Sequence, residues 1–106
     1  MIVRSWRARA TADNAPAYIV HAQTRVLPQL AAIAGYRGAW VLTDDSREPV
    51  EIVVLTCWDS MEAIRAFAGA DPSVAVVEPD AHAVLIDCDE TVQHHVVAAW
   101  HGMPPS

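Results

Sequence analysis

The chain has no lysine: its basic residues are seven arginines, set against 13 acidic residues for a formal net charge of -6. Nucleic-acid binding needs a basic surface that releases counterions from phosphates, so this balance argues against a DNA or RNA partner. It argues equally against attachment to an anionic membrane surface. Cysteine is scarce as well. Cys57 and Cys88 stand far apart, outside the C-x-x-C spacing of redox and zinc motifs, and read as buried free thiols. Thr56 and Trp58 flank Cys57, and neither is a cation that would activate its thiol. The four glycines stand singly at 35, 38, 69 and 102, so no phosphate-cradling loop forms and no nucleotide cofactor is expected. A Gly-x-Ser-x-Gly elbow and an HExxH motif are both missing, which leaves hydrolase chemistry and a zinc site without support. Long apolar runs are absent too. "IVVLTCW" at 52–58 is far short of the roughly 20 residues that cross a bilayer, and "MIVRSWRARA" lacks the apolar run of a signal peptide. The expectation is no membrane partner and a cytoplasmic location.

What is present is apolar material. Hydrophobic residues make up 53% of the 106 positions and charged residues 19%, enough to order a single core, so one domain over 1–106 is expected, with 100–106 as a loose tail. Ile2 to Arg9 alternates as a strand, which sends Arg4 to one face and Arg7 and Arg9 to the other. Thr11, Asp13 and Asn14 offer capping oxygens, Pro16 suits a first turn, and Tyr18, Ile19, Ala22, Val26 and Leu27 recur at helical spacing. Pro28 should end or kink that helix, and Gly35 stops its last piece. Tyr36–Thr43 and Val50–Trp58 read as an antiparallel hairpin around the turn "DDSREP". A second helix opens at "DSMEAIRAFAG", with Asp59 as cap and Glu62 reaching back, and closes at Gly69. A short helical turn is expected within 70–79. "HAVLIDCDE" and "TVQHHVVAAW" then read as two extended segments.

This order is β-α-β-β-α-β with an additional C-terminal strand: an α+β, ferredoxin-like split βαβ arrangement with an antiparallel sheet. Two helices cover one face of such a sheet, yet the third strand is apolar on both, with Ile52, Val54 and Trp58 on one side and Val53 and Leu55 on the other. A second copy is the simplest cover. A homodimer with face-to-face sheets, burying more than about 2,000 Å² in total, is therefore expected, with the last strand reaching the partner.

"VVLTCWDSMEAIRAFAG" at 53–69, together with "MIVRSWRAR" and "ETVQHHVV", resembles the antibiotic biosynthesis monooxygenase family of dimeric α/β barrels, in which a strand ending in Trp-x-Ser starts the second helix, here Trp58, Asp59 and Ser60. The resemblance spans Ile2 to about Val97. It implies a pocket between helices and sheet, and a cofactor-independent monooxygenase that oxidises a small hydrophobic or aromatic, polyketide-like substrate with dioxygen. A heme-degrading branch places an Asn, a Trp and a His where this chain has Trp6, Phe67 and about Val77, so its ligand pattern is absent here. No cofactor and no metal are expected.

Oxygenation without a cofactor requires the substrate to become an electron-rich anion. Aromatic walls to bind it are sought in Trp6, Tyr18, Phe67 and Trp58, with Trp40 as a further ring, and Arg4 is the cation to stabilise it. A base is sought among the histidines. His82, at the expected start of the fourth strand, and Arg4 are taken as the catalytic candidates. His21 is a second candidate base but lies beside the apolar stripe, and with Arg25 one turn later it reads as surface. His94 and His95 point to opposite faces of a strand and cannot share a metal, so one is expected at the dimer interface and the other in solvent. The competing expectation is a non-catalytic module that holds a metabolite in the same pocket.

Overall fold

The computed structural model describes residues 1–102; the remaining tail residues, 103–106, lie outside the described residues. Its elements are β1 (Ile2–Ala10), α1 (Ala15–His21), a π-helical turn (Ala22–Val26), α2 (Leu27–Ala31), β2 (Tyr36–Asp44), β3 (Val50–Trp58), α3 (Met61–Ala68), α4 (Pro79–His82), β4 (Asp87–Cys88) and β5 (Gln93–Val96). The sheet runs β2-β3-β1-β4, with every pairing antiparallel. This is the expected α+β architecture. The edge of β1 away from β3 is shared by two short strands: β4 pairs with Ala8 and Arg9, and β5 with Ile2 to Ser5.

Register decides which residues meet. Arg4 lies opposite Thr56, Trp6 opposite Val54 and Ala8 opposite Ile52, so these pairs share the helix-covered face. Ala8 and Ala10 are fully buried, and their small side chains leave room for Tyr18 and Ala22 to pack with Val50 and Ile52. A second cluster, Leu30, Trp58, Ala63 and Ile64, fills the other end of the same layer. Trp58 is fully buried, edge-on to Tyr36 at 5.4 Å, and donates its indole N–H to Thr56 Oγ1 at 2.9 Å.

Four local expectations differ from what forms. The first helix passes through Pro28 instead of stopping. The preceding turn widens so that the Leu27 N–H reaches the Ala22 carbonyl, five residues back. A proline ring collides with the carbonyl four residues earlier in a regular helix, and the π-helical turn relieves that collision. Ser60, not Asp59, caps α3, accepting the Ala63 N–H at 3.2 Å. Asp59 instead pairs with Arg37 at 2.6 Å. The expected fourth strand shrinks to Asp87–Cys88, because Pro79 starts α4 with its preset φ and no N–H to lose. His82 accordingly ends a helical turn rather than opening a strand. Finally, β5 lies against its own β1, where Val96 pairs with Ile2, so its backbone bonds are made within the chain.

Candidate functional site

A cleft of about 550 Å³, mouth included, opens between the helical layer and the sheet. β1 contributes Arg4 and Trp6, α1 Tyr18 and His21, α3 Phe67, and the stretch before and through α4 contributes Val77, Glu78 and Ala81. Members of both core clusters thus form its walls.

Arg4 is 5% exposed, an unusual position for a permanently charged side chain. Its guanidinium donates to the carbonyl of Pro72, to that of Val74 at 3.0 Å and to His94 Nε2 at 3.1 Å, and it lies over the Phe67 ring at 5.7 Å. Among the described residues it forms no ion pair, whereas Arg7, Arg9, Arg25, Arg37 and Arg47 each reach a carboxylate. Burial lowers its pKa, but arginine starts so high that it remains a cation. The alternation on β1 therefore acts as expected: Arg4 faces the cleft, while Arg7 and Arg9 pair with acids on the opposite side of the sheet.

Rings continue the wall from Arg4. Trp6 donates its indole N–H to the Asp89 carbonyl at 2.8 Å, which fixes its plane. Tyr18 stands 5.9 Å from Trp6, and His21 stands 6.1 Å beyond Tyr18, centroid to centroid. Burial pushes the Tyr18 hydroxyl up to about 12, so it stays protonated and acts as a donor, not as a base. Opposite, Phe67 stacks on Trp58 at 5.9 Å with 19° between the planes.

Of the six residues singled out for the site, Arg4, Trp6, Tyr18 and Phe67 line the cleft together. Trp58 lies beneath Phe67 with no exposed surface and supports that ring without reaching the cleft. His82 is exposed at the end of α4, outside the lining, because the helical turn begun by Pro79 turns it away. His94 faces Arg4, and His95 is exposed on the other face opposite Val3. Among the described residues no group of three or more His, Cys, Asp or Glu side chains could hold a metal ion. No helix of the described residues is long and apolar enough to cross a membrane.

Two further titratable residues line the cleft: His21, the second candidate base that was read as surface, and Glu78, which sequence reasoning did not single out. The His21 side chain is 11% exposed, and its Nε2 atom, buried and without a hydrogen-bond partner, lies 3.9 Å from Glu78 Oε2. His21 lies one turn after buried Tyr18, at the last position of α1, and both it and Arg25 face the segment around α4. Arg25 meets Asp80 at the surface, at 3.3 Å, and His21 lines the cleft. Glu78 carries no signal in the sequence, since only the fold brings it near α1.

No family model matches the chain, and no curated protein matches it by sequence. Solved structures do. A Bacillus cereus protein described as a candidate antibiotic biosynthesis monooxygenase superposes with a TM-score of 0.64 at 17% identity, covering 96% of this chain and 97% of its own. An uncharacterized NIPSNAP domain protein from Burkholderia xenovorans gives 0.62 at 25% identity, over 97% and 100%. A Streptomyces coelicolor monooxygenase in complex with nanaomycin D gives 0.60 at 16% identity, over 99% and 92%. These neighbours share the fold of this chain over nearly its whole length.

Proposed function

We propose that this chain, whose fold is that of the antibiotic biosynthesis monooxygenases, is a cofactor-independent monooxygenase of a small aromatic, polyketide-like molecule. The observation that carries the reading is Arg4: a buried guanidinium with no carboxylate partner among the described residues, at the wall of a cleft lined by Trp6, Tyr18 and Phe67. Such a site suits a flat ring that becomes an anion. The rings hold the substrate by its faces, and the guanidinium stabilises negative charge as it develops on an oxygen, with its own orientation already set by Pro72, Val74 and His94.

The chemistry needs dioxygen as co-reactant. Loss of a proton leaves an electron-rich enolate or phenolate that donates electrons to dioxygen. At a methylene carbon next to the ring the two C–H bonds give way to one C=O bond. One oxygen atom stays on carbon, and the other leaves as water with both hydrogens. The protein's part is to bind, to remove the first proton and to keep bulk water out. The nanaomycin D complex of the Streptomyces coelicolor neighbour supports a small organic ligand for this fold.

The same reading includes a homodimer. The sheet face away from the helices presents Val53, Leu55 and Trp40, half-buried, and Leu42, 45% exposed, with no helix over them. A second copy would cover that face. Two free cysteines, Cys57 and Cys88, suit a reducing compartment, in keeping with a cytoplasmic location.

Oxygen uptake by the purified, chelator-treated protein with anthrone and hydroquinone substrates tests the reading. Saturable uptake above the spontaneous rate is expected, reduced roughly tenfold or more in Arg4→Leu, the loss of a charged hydrogen-bond donor at a developing anion. Trp6→Ala should weaken binding of the same substrates. Ligand binding without uptake across the panel would assign the cleft to a non-catalytic binding module instead.

A further inference from the structure

The reading above leaves the proton unaccounted for. Tyr18, Arg4, His21 and Glu78 are the titratable side chains that line the cleft, and His94 stands against Arg4 beside it. Of these, Tyr18, Arg4 and His94 are disqualified by their surroundings. Tyr18 stays protonated up to about 12. Arg4 is itself a cation. The Nε2 of His94 is occupied by the Arg4 N–H, and its other ring nitrogen then carries the proton, so His94 has no free acceptor.

His21 is different. Its Nε2 is buried, without a hydrogen-bond partner among the described residues, and the ring is set in the cleft wall next to Tyr18. A buried polar atom without a partner costs roughly 1–3 kcal/mol, and such costs persist at places where a ligand supplies the missing bond. Glu78 Oε2 lies 3.9 Å away, just beyond hydrogen-bond reach. A ligand hydroxyl has one hydrogen, which it would donate to Nε2 at about 2.8 Å with Glu78 Oε2 moved out of its path. A side-chain rotation at this corner is what admits it, and the Glu78 side chain, 30% exposed, has room to rotate. The other charged groups nearby, Arg25 and Asp80, neutralise each other at 3.3 Å.

Resting on the monooxygenase reading, we propose that His21 is the proton acceptor of the cleft, with Glu78 as its positioning residue, and that the site selects aromatic ligands bearing an ionisable hydroxyl. The ligand's O–H bond breaks, its proton moves to His21 Nε2, and the electron pair remains on the oxygen and spreads into the ring that Arg4 and the aromatic wall hold. The division of labour is then complete: acceptor on α1, anion stabiliser on β1, and the ring between them.

The test uses para-nitrophenol, whose phenolate absorbs far to the red of the phenol, with para-nitroanisole as a probe of the same shape and no proton to lose. At a pH where free para-nitrophenol is mostly neutral, the wild-type complex should show the phenolate band. In His21→Gln the bound phenolate-to-phenol ratio should fall roughly tenfold, one pKa unit, and in Glu78→Gln by a smaller factor. Para-nitroanisole should bind wild type and both variants alike, which shows that the cleft is still folded. Oxygen uptake by His21→Gln should drop roughly a hundredfold or more, the usual effect of losing a positioned base. An unchanged phenolate fraction in His21→Gln, or undiminished uptake, overturns the assignment while the oxygenase reading stands. Ionisation that depends on His21 in a protein that consumes no oxygen upholds the assignment and removes the oxygenase. If wild type binds neither probe, both fall.

Discussion

Arg4 and His94 face each other across the β1–β5 pairing, with the guanidinium Nη1 3.1 Å from the imidazole Nε2. Arginine has no acceptor, so the contact exists only while His94 is neutral. Desolvation holds the His94 pKa below its ordinary value of 6.5, and the Arg4 charge and then His95 lower it further. Between the depressed folded value and the unfolded one, the unfolded chain binds more protons. Stability is therefore intact above about 6.5, the unfolded value, and declines as the pH falls below it. Thermal melting followed from pH 7.5 to 5 should show this decline, and His94→Gln, which cannot charge, should flatten it. An equal slope in both proteins would mean that other groups set the acid limit.

Trp58 tests the distinction between a wall and its foundation. It is fully buried, stacked on Phe67 at 5.9 Å and bonded to Thr56 Oγ1. Trp58→Ala should destabilise the chain by about 3–5 kcal/mol through the cavity it leaves. Trp58→Phe keeps most of the ring, so affinity for an aromatic probe should change less than twofold. A large loss of affinity at unchanged stability would return Trp58 to the binding surface.

Gly35 sits at φ +93°, and a Cβ there would stand 2.6 Å from the Ala63 Cβ. Its carbonyl also accepts the Asp59 N–H at 2.8 Å, joining the end of the first helical arm to the start of α3. Gly35→Ala therefore meets both backbone strain and a clash, and a loss of about 1–3 kcal/mol is expected in urea unfolding. Ala63→Gly added to it should recover the part due to the clash, because it removes the opposing methyl. No recovery would assign the whole cost to the dihedral angle.

Leu42 reports on the assembly. It is 45% exposed on the face away from the helices, opposite Val53 in the β2–β3 register. In a lone protomer Leu42→Glu should alter stability by no more than about 0.5 kcal/mol. In a dimer closed over that face it buries a charge, so sedimentation should show a wild-type dimer and a variant monomer. A wild-type monomer would overturn the dimer, and a variant that still dimerises would place the interface elsewhere.

The pattern of residues in order was enough for the first three strands and for the alternation along β1. β3 forms at Val50–Trp58 as its apolar run indicates, and alternation put Arg4 on one face and Arg7 and Arg9 on the other; only the fold shows that Arg4's face is the buried one. Both signals are local, since a strand's two-residue period depends on nothing far away. The charge balance and the missing motifs likewise narrow the partners from composition alone. The acid–base corner of the cleft is of another kind. His21 was a candidate read as surface because it borders the apolar stripe; its side chain is covered because the segment before α4 closes over that border and brings Glu78 against it. Glu78 lies 57 positions away in the chain (78 − 21) and acquires meaning only when α1 and the segment before α4 close over the sheet. His82 and Trp58 failed as lining residues for the same reason in reverse: Pro79 rotated one outward and Phe67 covered the other. Periodicity reads the direction of a side chain from its neighbours, whereas a cleft is made by residues whose neighbourhood is created by packing.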